Sequence, residues 1–112
     1  MYPVFLRLDG RRVLVVGAGP VAARRVEGLL AAGARVTVVA PDAVAELRDR
    51  VEVSWQQRGF DPGDLVGVWL VQACAPTHVN AEVVRAAETA GVWCVDAAAA
   101  GASPAVATAG VP

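Results

Sequence analysis

Short apolar runs alternate with stretches of helical period along this chain, and that alternation predicts most of its architecture. Residues 12–16, RVLVV, form a continuous, mostly β-branched run of the kind found in a strand covered on both faces. From Pro20 to Ala32 the spacing changes. Val21, Ala22, Val26, Leu29 and Leu30 share one side of a helix, while Arg24, Arg25 and Glu27 point elsewhere. Pro20 suits the first helical turn, where its missing N–H costs nothing, and Gly33 suits the helix end. A second strand is predicted over 34–40 (ARVTVVA), stopped by Pro41. A short helix or turn follows at DAVAELRD, then a third strand over 51–56 (VEVSWQ). After the turn-rich FDPGDLVG, residues 68–74 (VWLVQAC) read as a fourth, buried strand. Residues 77–90 form a helix capped by Pro76 or Thr77, with Val79, Val83, Val84 and Ala87 inward. Gly91 ends that helix and VWCVD supplies a fifth strand. The repeat of strand, helix and strand predicts an α/β fold. It is a Rossmann-like, doubly wound parallel sheet of about five strands in the order 3-2-1-4-5, with its switch point between strands one and four. The small-residue stretch after Asp96 predicts no firm element.

The first strand breaks into Gly17-Ala18-Gly19-Pro20-Val21-Ala22, the G-x-G-x-x-[GA] form of the dinucleotide fingerprint. Gly17 permits a tight turn, Gly19 lets a pyrophosphate approach the backbone, and Ala22 keeps the helix close to the sheet. The helix N-terminus adds N–H donors and a favourable dipole. Such a motif alone is weak, but here a strand precedes it and an amphipathic helix follows. One expected piece is missing. An acid at the end of strand two normally grips the adenosine ribose. That place is held by Ala40-Pro41, with Asp42 beyond it, and Asp42 either takes up the ribose contact or caps the next helix. No arginine follows strand two closely enough to favour NADP, with Arg48 the one candidate.

Composition narrows the setting. The chain has 112 residues, 55% hydrophobic and 19% charged, which fits one globular domain over residues 1–112. A net charge of −1 gives no electrostatic case for nucleic acid or an anionic membrane. No apolar stretch is long enough to span a bilayer, and the N-terminus lacks a signal-peptide layout. Two cysteines make no disulfide framework, which suits a reducing cytoplasm. Cys74, His78, Cys94 and Asp96 fall near the ends of strands four and five, yet buried cysteines and a solvent-facing His78 are the stronger reading, so no metal is expected. Trp55, Trp69 and Trp93 read as packing residues. Arg24 and Arg25 face either solvent or an anionic group, and lone His78 has no partner for nucleophilic catalysis.

Taken together, the lead-in YPVFLRLDGRR, the turn VVGAGPVAARR, the segment LLAAGARVTVVAP, Val79-Asn80 and Trp93-Cys94-Val95 closely resemble one family. It is the N-terminal domain of the siroheme-synthase dehydrogenases (precorrin-2 dehydrogenase, often also sirohydrochlorin ferrochelatase). The resemblance covers the chain to about residue 96. It implies NAD-dependent removal of hydride from a partly reduced tetrapyrrole, precorrin-2, to give sirohydrochlorin, in a homodimer. It also implies NAD contacts at Pro20, Val21, Pro41 and Asp42, with Ala73 and Cys74 on the nicotinamide side.

Departures from that family matter as much. Where it usually shows T-D-D, this chain has Cys74-Ala75-Pro76. Its acid/base aspartate, four residues beyond the cysteine, corresponds to Ala98. Asp96 keeps the same strand face but sits about 7 Å back along an extended chain. It is the one catalytic candidate. The family also continues into dimerisation and helical parts beyond the point where this sequence stops, and apolar surface near AVATAGVP suits self-association. Two readings stand: the cofactor domain of a precorrin-2 dehydrogenase, and a non-catalytic dinucleotide-binding module or fragment lacking turnover.

Overall fold

A computed structural model describes residues 2–97 and the backbone of 108–110. The Ala98 position and most of the AVATAGVP stretch lie outside the described residues. In chain order the elements are β1 (Arg12–Val16), α1 (Pro20–Ala31), β2 (Arg35–Val39), α2 (Ala45–Arg48) and β3 (Ser54–Gln56). A 3-10 turn (Pro62–Leu65), β4 (Leu70–Ala73), α3 (Thr77–Ala90), β5 (Trp93–Asp96) and β6 (Thr108–Gly110) follow. They build one sheet in the order β3-β2-β1-β4-β5-β6. The first five strands run parallel, in the order that the spacing predicts. β6 returns antiparallel along β5, placing Asp96 opposite Thr108. Nothing in the small-residue tail predicts that strand.

The apolar run of β1 is buried on both sides because each face of the sheet has its own core. Val13 and Val15 point into a layer with Ala22, Val26 and Leu29 of α1, Val36 and Val38 of β2, and Leu47 of α2. Leu14 and Val16 point the other way, toward Val83 and Ala87 of α3, Leu65 of the 3-10 turn, and Val71 and Cys94. Fully burying one such valine contributes roughly 1.5–3 kcal/mol, so these two layers fix the register of the whole sheet.

Differences from the periodic pattern are local. β3 begins at Ser54 rather than at residue 51, because Val53 N–H bonds back to the Arg50 carbonyl in a turn that leaves Val51 in solvent. In α1, Val21 is 40% exposed: it lies in the first turn, beyond the reach of the core below it. In α3 the buried positions are Asn80, Val83 and Ala87, with Val79 and Val84 at the margin. Pro76 is the N-cap of that helix, and Gly91 ends it with φ +69°.

Candidate functional site

The carboxyl ends of β1, β2 and β4 meet at the switch point, and the turns leaving them are stitched together through their backbones. Gly17 N–H donates to Val39 O of β2 at 2.9 Å, and Cys74 N–H donates to Val16 O of β1 at 2.8 Å. The Ala18 carbonyl accepts from Val44 N–H at 2.9 Å, tying the glycine turn to the segment after β2. These bonds hold open a cleft of about 680 Å³, of the size that small-molecule sites occupy.

Of the residues singled out from sequence, Gly17, Ala18, Gly19, Ala40, Pro41, Asp42 and Cys74 all line this one cleft. Ala22 and Ala73 are fully buried and do not line it: Ala22 packs α1 against the sheet, and Ala73 lies within β4. Pro20 and Val21 form the exposed first turn of α1. Asp96 ends β5, in register with Ala73 across the sheet. Gly59, Phe60, Ala75, Pro76 and Val79 line it as well, and of these the sequence pattern did not single out Gly59 and Phe60. For Phe60 the signal is present in hindsight: an aromatic residue opens the turn-rich FDPGDLVG stretch.

The two glycines of the turn do different work. Gly17 has φ +106°, and a Cβ there would meet backbone of the β4 exit, with Cys74 C at 2.6 Å, Ala75 N at 2.9 Å and the Cys74 carbonyl oxygen closer still. Its role is to let β4 pass. Gly19 has an ordinary φ of −88°, and a Cβ there would meet no atom within 4 Å. Neither backbone nor packing requires glycine at 19, so the open space above it is what the missing Cβ preserves. α1 begins at this residue with no side-chain cap and no acid in its first turn. Unopposed N–H donors at the positive end of a helix suit a phosphate group, so the cradle fits a dinucleotide pyrophosphate.

Asn80 supports the same corner from below. It is 2% exposed, and its Oδ1 accepts from Ala75 N–H at 2.9 Å, fixing the loop that Gly17 approaches. Trp55 does likewise for β2: its Nε1–H donates to Ala40 O at 3.0 Å. The aromatic residue read as packing therefore also anchors the cleft wall. Burial pushes the Cys74 thiol up to about 11, with Asp96 raising it further and Arg25 opposing. Cys74 is thus a neutral thiol, and the carboxylate of Asp96 acts on it from the β5 end. Among the described residues lining the cleft, Asp42 is the one charged group. His78 is exposed, and no group of three metal-ligating side chains occurs among the described residues.

A glycine turn at the switch point of a doubly wound sheet, opening onto an apolar cleft, defines a dinucleotide-binding α/β domain. Comparison with known proteins agrees. Residues 4–107 match the family model NAD_binding_7, described as "Putative NAD(P)-binding". The chain is 43% identical over 95 residues to siroheme synthase 1 of Aeromonas salmonicida, covering 81% of this chain and 20% of that protein. It is 44% identical over 94 residues to the siroheme synthase of Pseudomonas aeruginosa, covering 80% of this chain and 20% of the relative. Among solved structures, SirC, a precorrin-2 dehydrogenase, superposes with a TM-score of 0.66 at 38% identity, covering 72% of this chain and 43% of that one. The chain belongs to this NAD(P)-binding family, in its siroheme-synthase branch. It spans about a fifth of the length of the curated relatives it matches.

Proposed function

We propose that this chain is the NAD-binding part of a precorrin-2 dehydrogenase, serving the step that converts precorrin-2 to sirohydrochlorin. The observation that carries the reading is Gly19: an open, uncapped helix start with no internal reason to be glycine. In this reading the turn from Gly17 to Val21 holds the pyrophosphate, Ala22 packs the helix against the sheet beneath it, and Ala40, Pro41 and Asp42 receive the adenosine ribose. Cys74 flanks the nicotinamide side, with Ala73 buried in β4 behind it. Bound NAD supplies a hydride acceptor. The two hydrogens lost from the tetrapyrrole would leave as a hydride, which the cofactor would accept, and a proton, for which Asp96 is the base this chain offers. Its influence on the buried Cys74 thiol supports a place at the same end of the sheet.

Exposed Tyr2, Val4 and Phe5 support a homodimeric assembly, since they offer apolar surface to a second copy. No helix among the described residues is long and apolar enough to cross a membrane, and two free cysteines support a cytoplasmic setting. One observation favours the second reading, a dinucleotide-binding module without turnover. Ala75 and Pro76 line the cleft where the resemblance leads one to expect acids, and they can move no proton. Calorimetric titration with NAD, followed by addition of precorrin-2 under anaerobic conditions, tests the proposal. Binding of NAD at 100 times its Kd raises stability by about 2.7 kcal/mol. NADH absorbance appearing on addition of the tetrapyrrole supports the enzyme; binding without NADH supports the module; no binding refutes both.

A further inference from the structure

Two arginines lie near the adenosine end of the cleft, and both are already engaged. Arg48 donates from Nη2 to the carbonyl of Ala43 at 2.7 Å. Arg58 follows β3, whose end is fastened to that of β2 by Ala40 N–H donating to Gln56 O at 3.2 Å. Its neighbour Gly59 lines the cleft. The Arg58 guanidinium is held in a two-pronged pair with Asp64, Nη1 to Oδ2 at 2.8 Å and Nη2 to Oδ1 at 2.6 Å, and Nη1 also donates to the Gly59 carbonyl at 3.1 Å. Asp64 is itself fixed, because its Oδ2 also accepts from Asp61 N–H at 2.9 Å, while Asp61 Oδ2 accepts from Gly63 N–H at 2.9 Å. This reciprocal cap of the 3-10 turn presents a rigid carboxylate to a planar fork, the geometry in which arginine pairs most firmly.

We propose that Asp64 makes the site selective for NAD over NADP by holding Arg58 away from the place a 2′-phosphate takes. This inference rests on the cofactor reading above. The ribose of the adenosine half sits at the end of the second strand, where an arginine ordinarily accommodates the 2′-phosphate of NADP. Here that phosphate meets the carboxylate of Asp42 at the cleft rim, while Arg48 and Arg58 are held by other acceptors. The selectivity is therefore built less from attraction to the ribose than from removal of the cation that NADP requires, a repulsive means of discrimination. The acid sits on the connection before β4, far from the strand-two position where such a determinant is usually sought.

Asp64→Asn tests this directly, since asparagine retains an acceptor for Asp61 N–H but gives up the charge that holds Arg58. Calorimetric Kd values for NAD and NADP are measured on the wild type, on Asp64→Asn, and on Asp64→Asn with Arg58→Ala. Asp64→Ser serves as a second route should Asp64→Asn fail to fold. The expected result is NADP affinity raised about tenfold in the single variant, a change of about 1.4 kcal/mol. NAD affinity stays within about twofold, the NADP gain shrinks as salt is raised, and it is lost in the double variant. If NAD binds normally but NADP gains nothing in Asp64→Asn, the selectivity role is overturned while the cofactor reading stands. A gain that survives Arg58→Ala overturns it equally. A wild type that binds neither nucleotide takes down both.

Discussion

Replacing Gly17 with alanine puts one methyl group where the structure has no room for it. The backbone there has φ +106°, a region that costs an L-residue about 1–2 kcal/mol. The methyl carbon would also lie 2.6 Å from Cys74 C and 2.9 Å from Ala75 N, so it is the β4 exit that must move. Two hydrogen bonds hold that exit: Cys74 N–H to Val16 O, and Ala75 N–H to Asn80 Oδ1. Losing both costs about 1 kcal/mol each. The total is about 3–4 kcal/mol, and at about 4–8 °C per kcal/mol for a domain of this size the Tm falls by about 12–30 °C. Gly19→Ala is the internal control. Its φ of −88° suits alanine and no atom lies within 4 Å of the new methyl, so the Tm shifts by only a few degrees. NAD affinity, by contrast, falls at least about tenfold, since a methyl displaced from a phosphate contact costs that order of energy. Thermal unfolding by circular dichroism, with calorimetry for NAD, reads both. A Gly17→Ala protein that melts within a few degrees of wild type refutes the close-approach argument. A Gly19→Ala protein that binds NAD normally refutes the cradle.

Asn80→Ala removes the acceptor for Ala75 N–H at a site that is 2% exposed, and an unsatisfied buried donor costs about 1–3 kcal/mol. Urea unfolding should show that loss with an unchanged m-value, and an unchanged midpoint refutes the anchoring role. Because burial pushes the Cys74 thiol up from 9.0 to about 11, its thiolate at pH 8 is about a hundredfold scarcer than in the unfolded chain. Alkylation by iodoacetamide, followed at this residue by mass spectrometry, should therefore be slow in the native protein and fast in urea. Equal rates in the two states exclude the buried, neutral thiol.

The sheet was legible because its signals are local. An apolar run of four or five residues bounded by glycine or proline marks a strand, and the switch from that run to helical spacing at Pro20 marks a crossover. Right-handed crossovers fix the face on which each helix packs, the glycine turn after β1 marks the switch point, and the five parallel strands take the order that follows. The cleft was half legible. Gly17, Ala18, Gly19 and Asp42 stand beside recognisable turns, whereas Phe60 and Val79 come from the connections after β3 and β4 and meet the cleft only once the sheet is assembled. The anchoring role of Asn80, as distinct from its place in the Val79-Asn80 signature, was hidden for another reason. A polar residue in a helix reads as solvent-facing unless its partner is known, and its partner is a backbone N–H five residues back in the preceding loop. β6 had no signal, since its alanine- and glycine-rich segment carries neither bulk nor alternation.

The central place of β1 has a consequence for how the chain is made. Val13 pairs with Val36 on one side and with Leu70 on the other. As the polypeptide leaves the ribosome, β1, α1 and β2 can assemble early, but the second edge of β1 stays bare until β4 emerges. At about 5–20 residues per second, the interval between the end of β2 and the arrival of β4 is about 2–6 s. Throughout it the apolar RVLVV segment offers unpaired N–H and C=O groups to any neighbouring nascent chain, the condition under which strand edges aggregate. Translation pauses between Val39 and Leu70 lengthen that interval, and a chaperone that shields a strand edge has its work there. Among the strands that end up paired on both sides, β1 is the one whose second edge waits longest for its partner.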